Sequence, residues 1–326
     1  MDKNTDMPIY AVDEKSGAQG GPVNQGSPEP ETTAAAKPTR TLWSDAWGRL
    51  RKNKLAMIGA IWIIFIVIVA LTCDLWAPQW LGSPTQIDSS QMSELSKLPP
   101  SAEHPFGTDA LGRDVLCRVI YGSRISLSVG ILATAISTVI GLVMGALAAY
   151  YGGIWDTIIM RLADIFLAFP YTLFVIVLIA VLGQSITNVF IAIGLLGWPS
   201  IARVFRSAIL SVKENDYVDA ARAMGASDAR IVIRHIFPNS VASIVVYATM
   251  NIGGAILTES ALSYLGMGVT PPTPSWGIMI EDGQTYLATQ PWLMLFPGLA
   301  IITTVLAFTL LGDGLRDALD VKMKDA

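Results

Sequence analysis

The sequence predicts an all-α, polytopic integral membrane protein with six transmembrane helices and both termini cytoplasmic. Three observations predict it. First, 52% of the 326 residues are hydrophobic and only 15% are charged, against about 25% charged in an ordinary soluble domain. Second, long stretches without Asp, Glu, Lys or Arg recur along the chain, and a helix needs about 20 apolar residues to cross a hydrocarbon core of about 30 Å. Third, with the N-terminus inside, 18 of the 22 Lys and Arg fall on inside segments and 4 on outside ones. Basic residues are retained on the cytoplasmic side. The composition disfavours a soluble enzyme and a disordered scaffold. A net charge of −4 leaves no basic excess for a nucleic-acid backbone, so no nucleic-acid partner is expected.

Residues 1–40 hold five Pro, four Gly and no sustained apolar run, which reads as a disordered cytoplasmic tail. Over 41–54, Trp43, Trp47 and Leu50 stand at helical spacing beside Arg49, Arg51, Lys52 and Lys54. That predicts a short helix lying in the membrane interface, against lipid. Leu55–Cys73 is the first span. As a signal peptide it starts too late and lacks a small-x-small cleavage site; Thr72 is a poor residue before a lipoprotein cysteine. Residues 74–124 form an extracytoplasmic segment and 125–312 a transmembrane core, followed by a cytoplasmic C-terminus over 313–326.

Within the core, the second span lies in Ile125–Trp155, where Gly141 and Gly145 form a close-packing step. Ile165–Ala202 is too long for one crossing and divides at Gly183-Gln184-Ser185 into a third and a fourth. Pro170 predicts a kink in the third. Asp156, Arg161 and Asp164 predict an interfacial charge cluster around the turn before it. Gln184, Ser185 and Asn188 open the fourth span, lining either a pathway or a loop. The fifth span begins near Asn239, and the sixth runs from Pro291 to Leu311. Cys73 and Cys117 both fall outside, which permits a disulfide and requires none.

The most informative pattern lies in the inside segment 203–238. A helix over Tyr217–Met224, with small residues Ala220 and Ala221, ends at Gly225, which supplies a left-handed cap; Ser227 can cap a second helix that leads through Pro238 into the fifth span. Such an elbow is either an ordinary cytoplasmic loop or a docking element that a partner approaches closely. Asp219-Ala220-Ala221, Gly225 and Pro238 stand at the spacing of the coupling-helix signature of ABC importer permeases, which this segment resembles. Asp219 replaces the family's Glu, His235 its Ile and Phe237 its Leu. His104 to Asp114 is similar to the outside signature of the C-type permeases of the oligopeptide and dipeptide (peptide/nickel) branch, and Gly312 to Asp320 to their C-terminus. The likeness runs from about residue 41 to 322.

The resemblance implies a type I importer permease fold and a chain that transports without catalysing. It implies a B-type permease partner, two ATPase subunits and an extracytoplasmic substrate-binding protein. The sequence has no Gly-x-x-x-x-Gly-Lys-Ser/Thr phosphate loop. The chain is therefore expected to bind no cofactor or metal of its own, with ATP and Mg on the partner ATPases. Asp219, Ala220, Ala221, Gly225, Ser227 and Pro238 would form the ATPase-coupling element, and peptides would be carried by alternating access. Nickel chelates or glutathione are alternative cargoes within the family. An intramembrane enzyme or a stand-alone secondary transporter would require convergent catalytic groups or midplane acids that the spans do not offer.

Two further groups are singled out. Glu259, near the outer end of the fifth span, is either a substrate gate or an interfacial helix-end acid bonded to backbone. Gly107, Thr108, Asp109, Gly112, Arg113 and Asp114 compose a compact outside turn. Asp109, Arg113 and Asp114 there would contact the binding protein or brace the partner permease.

Overall fold

The computed structural model describes residues 42–85 and 92–319. The expected tail over 1–40, the side chain of Trp43 and the end of the C-terminal segment lie outside the described residues. Twelve α-helices and one π-helical turn account for the described chain. Its only strand-like feature among the described residues is an isolated bridge between Thr108 and Asp114. Five helices are long and apolar enough to cross a membrane, and a bent pair makes six if it is one span.

Helix α1 (Leu42–Leu50) buries Ala46 and Leu50 against Ala56 and Ala318. Helix α2 (Lys54–Leu81) opens at Asn53, whose side chain accepts from the Ala56 amide at 3.2 Å. It runs eight residues past the expected end at Cys73. Asp74 does not stop it, because Arg124 pairs with that carboxylate at 2.8 Å. Helix α3 (Met92–Leu95) lies in the segment between α2 and α4. Helix α4 (Val115–Tyr151) starts ten residues before the expected span, because the Asp114 side chain accepts from the Cys117 amide at 2.8 Å and caps it there.

Small residues explain how α4 meets α7 (Ile186–Lys213), the most extensive helix pairing in the fold. A Cβ on Gly141 would lie 2.7 Å from the Ile201 side chain, and one on Gly145 2.7 Å from the Ala202 carbonyl. The Gly-x-x-x-Gly step is therefore filled by the neighbouring helix.

The third crossing departs from expectation. The chain turns at Gly152 and Gly153, both at positive φ, so α4 ends before Trp155. Helix α5 (Gly153–Ala168) then incorporates the charges expected around a turn. They sit in a helix because α7 neutralises them: Asp156 takes two bonds from Arg206 at 2.5 Å, and Asp164 pairs with Arg203 at 2.5 Å. Phe169 is extended ahead of Pro170, as steric conflict with a proline ring demands, and α6 (Tyr171–Leu182) leaves at 90° to α5. Pro170 thus breaks the helix rather than kinking it. Ser185 then caps α7, and Asn188 donates to the carbonyls of Leu182 and Gly183, so these polar groups hold the connecting turn together.

Helices α8 (Asp216–Ala223) and α9 (Asp228–Ile231) form the elbow. A π-helical turn (Val232–Ile236) joins α9 to α10 (Phe237–Tyr264) without a break. Pro238 lacks the amide that would donate one turn back, and the wider turn stands there. Helix α11 (Trp276–Gln284) lies ahead of α12 (Trp292–Leu319), which extends eight residues beyond the expected Leu311. Cys73 and Cys117 are free and buried.

Candidate functional site

The elbow is built from a two-faced helix and a left-handed stop. On its inner face Val218 and Ala221 are buried with Phe205, Ile209, Ile231 and Ile236. On its outer face Tyr217, Asp219, Ala220, Arg222, Ala223 and Met224 are exposed. Gly225, at φ +81°, closes α8 with two bonds: its own amide to the Arg222 carbonyl at 3.0 Å, and the Ala226 amide to the Ala221 carbonyl at 3.1 Å. This reciprocal pair is the Schellman stop. The two small residues therefore have different tasks: Ala220 faces outward, whereas Ala221 is core. Ser227 starts the next turn, its carbonyl accepting from the Ile231 amide. Asp219 forms an exposed pair with Arg222 at 3.1 Å.

One bond ties the elbow to a span, and two contacts join the spans around it. The Tyr150 hydroxyl donates to Asp228 at 2.5 Å. Lys213 donates to the Tyr150 carbonyl at 2.8 Å, placing a cation at the C-terminal end of α4 where the helix dipole is negative. Phe237 meets Phe205 edge to face at 6.3 Å.

At the opposite end of the bundle, the turn over 107–114 folds its charges inward. Asp109, Arg113 and Asp114 are each less than a tenth exposed. Asp109 accepts from the amides of Leu111 and Arg113 at 2.9 Å, from Arg113 Nε at 2.7 Å and from Arg118 Nη1 at 2.5 Å. Asp114 caps α4 and meets His104 Nδ1 at 2.9 Å. Gly107 admits the close approach of Leu98 and Trp292, since a Cβ there would lie 2.5 Å from the Leu98 carbonyl oxygen. Asp109, Arg113 and Arg118 line a cavity of about 360 Å³ with Glu281, Asp282 and Tyr286. Asp282 lies 3.3 Å from Arg118 and 3.8 Å from Arg113. Although its side chain is 42% exposed, partial desolvation raises its carboxyl above the ordinary range, Arg113 opposing the shift and Asp109 adding to it.

Glu259 is fully buried. Its carboxyl accepts from Ser263 at 2.7 Å and Ser126 at 3.1 Å, with Ser260 at 3.5 Å. Its partners are hydroxyls, those of α4 and α10 together with Ser275 at the start of α11, not backbone, and in this conformation it faces no open surface. Among the described residues no three His, Cys, Asp or Glu side chains gather as metal ligands would.

The chain matches the family described as binding-protein-dependent transport system inner membrane component over residues 137–325, and the N-terminal transmembrane domain of oligopeptide transport permease C over residues 41–100. The chain belongs to this permease family. A dipeptide transport system permease protein of Alkalihalophilus pseudofirmus is 42% identical over 301 residues, covering 92% of this chain and 95% of the relative. A glutathione transport system permease protein of Escherichia coli O157:H7 is 44% identical over 285 residues, covering 87% and 92%. In fold, the permease is similar to an inward-facing conformation of the MetNI methionine ABC transporter, with TM-score 0.52, 20% identity, and 62% and 96% of the two chains covered.

Three groups of this permease escaped the sequence reading. Arg118 registered there only as one of four outside cations, yet it shares Asp109 with Arg113. Asp282 stands in a charge-poor stretch whose one visible signal is the Glu281-Asp282 pair. Tyr150 precedes Gly152-Gly153 at the end of an apolar run, and nothing local marks its hydroxyl as a tether.

Proposed function

We propose that the permease is the C-type subunit of an ATP-driven importer of oligopeptides or dipeptides, forming the translocation pathway with a B-type permease. In this reading two ATPase subunits hold ATP and Mg, an extracytoplasmic binding protein delivers the cargo, and both termini lie on the cytoplasmic side of the cell membrane. The observation that carries it is the elbow. A helix whose small outer residue Ala220 stands between Asp219 and Met224, and whose stop at Gly225 is conformational, offers a fixed knob to a cleft. Its inner face and the Tyr150–Asp228 bond pass displacement of that knob to α4, α7 and α10. Asp219, Ala220, Gly225 and Ser227 would meet the ATPase, Ala221 and Pro238 would hold the knob on the span, and Glu259 would act at the gate. Asp109, Arg113 and Asp114 would support the surface to which the binding protein docks.

Glutathione, itself a tripeptide, is the second reading, supported by the 44% identity to glutathione permeases. Co-expression with the partner subunits and reconstitution into proteoliposomes tests both. ATP-dependent uptake of labelled dipeptide in preference to glutathione supports the first; the reverse preference supports the second. A chain that copurifies with neither a second permease nor an ATPase would sink both.

A further inference from the structure

We infer that the junction of α1 and α2 is a binding site for an anionic phospholipid headgroup, formed by Arg51, Lys52 and Lys54 beside Trp47. The placement follows from the outward face of α2. Leu55, Ile58, Ile61, Phe65, Ile68, Leu71 and Leu75 are all more than half exposed and recur at helical spacing as one stripe. From Leu55 to Leu75 the stripe is about 30 Å long at 1.5 Å per residue, the thickness of a hydrocarbon core. Its first residue directly follows the three cations, which therefore stand at headgroup depth.

The cations are exposed, and none has a carboxylate partner among the described residues. The first turn of α2 supplies no acid to offset them. Arg51 is held 4.7 Å above the centre of the Trp47 ring, and that indole is half exposed on a helix whose other face is packed into the bundle. Amphipathic aromatic rings favour this depth. A guanidinium fixed on an indole, with two exposed lysines within the next three residues, matches the phosphate of a lipid that carries net negative charge. The other end of the stripe differs: there Arg124 is paired with Asp74, so the excess of unpaired cations belongs to one leaflet. Basic residues at this depth favour an anionic surface over a zwitterionic one.

The test is native mass spectrometry of the full-length chain, purified in mild detergent with whatever subunits accompany it, titrated with phosphatidylglycerol, with phosphatidylcholine of the same acyl chains, and with glycerol 3-phosphate. Retention of phosphatidylglycerol in preference to phosphatidylcholine is expected, weakened about fivefold for each of Arg51→Gln, Lys52→Gln and Lys54→Gln. Arg161→Gln, on an exposed cation of α5 that pairs with Asp164 at 3.6 Å, should leave it unchanged. Equal retention of the two lipids, or undiminished phosphatidylglycerol in the triple variant, overturns the site. Displacement by glycerol 3-phosphate at matching concentration would make it a site for free phosphate esters instead. Should the triple variant lose its elution profile, Lys52→Gln alone decides.

Discussion

Tyr150 closes α4 with its hydroxyl on the Asp228 carboxylate, 2.5 Å away across the elbow. One bond thus joins the last full turn of a span to the first turn after the Gly225 stop. A hydrogen bond to a charged acceptor contributes about 1.5–3 kcal/mol, with the lower end applying to this partly exposed pair. Tyr150→Phe should therefore lower stability by about 1.5 kcal/mol. In reconstituted complexes it should reduce uptake more than ATP hydrolysis, because the knob would still be present but loosely joined to the bundle. Loss of both activities in equal proportion would assign Tyr150 to folding alone.

Gly225 has open space around it, so a side chain there meets no clash and only the left-handed backbone resists it. Gly225→Ala should cost about 1–2 kcal/mol and Gly225→Asn less. Affinity for the ATPase, measured by titration of the purified subunit, should follow the order Gly, Asn, Ala. Equal affinities would mean that the stop does not shape the docking face.

Ala220 is exposed and Ala221 buried, so substitutions there test docking and folding separately. Ala221→Leu overfills the cluster around Phe205 and Ile231 and should cost about 1–3 kcal/mol, lowering the melting temperature. Ala220→Leu lies on the exposed face and should leave melting unchanged while abolishing ATPase copurification. The opposite pattern would reverse the assigned faces.

Glu259→Ala leaves the Ser126 and Ser263 hydroxyls without their acceptor inside a sealed space. Together with the cavity this should cost about 2–4 kcal/mol. Glu259→Gln retains an acceptor and most of the volume, so the loss should be well below half of that. If Gln and Ala melt alike, the hydroxyl bonds contribute little.

Asp282 predicts a small pH dependence of stability. Partial desolvation raises its carboxyl pKa in the folded protein, so between the ordinary value near 3.8 and the raised one the native state holds a proton that the unfolded chain has released. Its contribution is most favourable below the ordinary value and is lost as pH rises through the raised one. Asp282→Asn should flatten the fall in stability with rising pH just above pH 4, read by thermal melts across that range. An unchanged slope would place the titration elsewhere.

The spans were legible because a bilayer demands length and apolarity, and those are visible in one dimension. The elbow was legible because Gly225, the small pair Ala220-Ala221 and Pro238 stand close together in the sequence. What escaped depended on partners distant in sequence. Asp156 and Asp164 read as an interfacial charge cluster around a turn until Arg206 and Arg203 are placed beside them, so the sequence puts a turn where α5 stands. Asp74 looked like the end of a span until Arg124 neutralised it. The charges of 109–114 looked exposed because Asp109 must take Arg118 and Arg113 together before any of them can be buried. The division of labour between Ala220 and Ala221 was invisible because residue size is in the sequence and facing is not.

From Phe237 to Glu259, α10 is a single uninterrupted rod of about 33 Å at 1.5 Å per residue. A helix is stiff along its axis, and this one begins at a π-helical turn, where the backbone holds one residue more than its regular register requires. Passing that surplus along the turn would slide the rod by about 1.5 Å, and the stroke would reach the serine-lined carboxyl undiminished. The bond from Ser126 to Glu259 joins the far end of that rod to α4, more than twenty residues away from the surplus one.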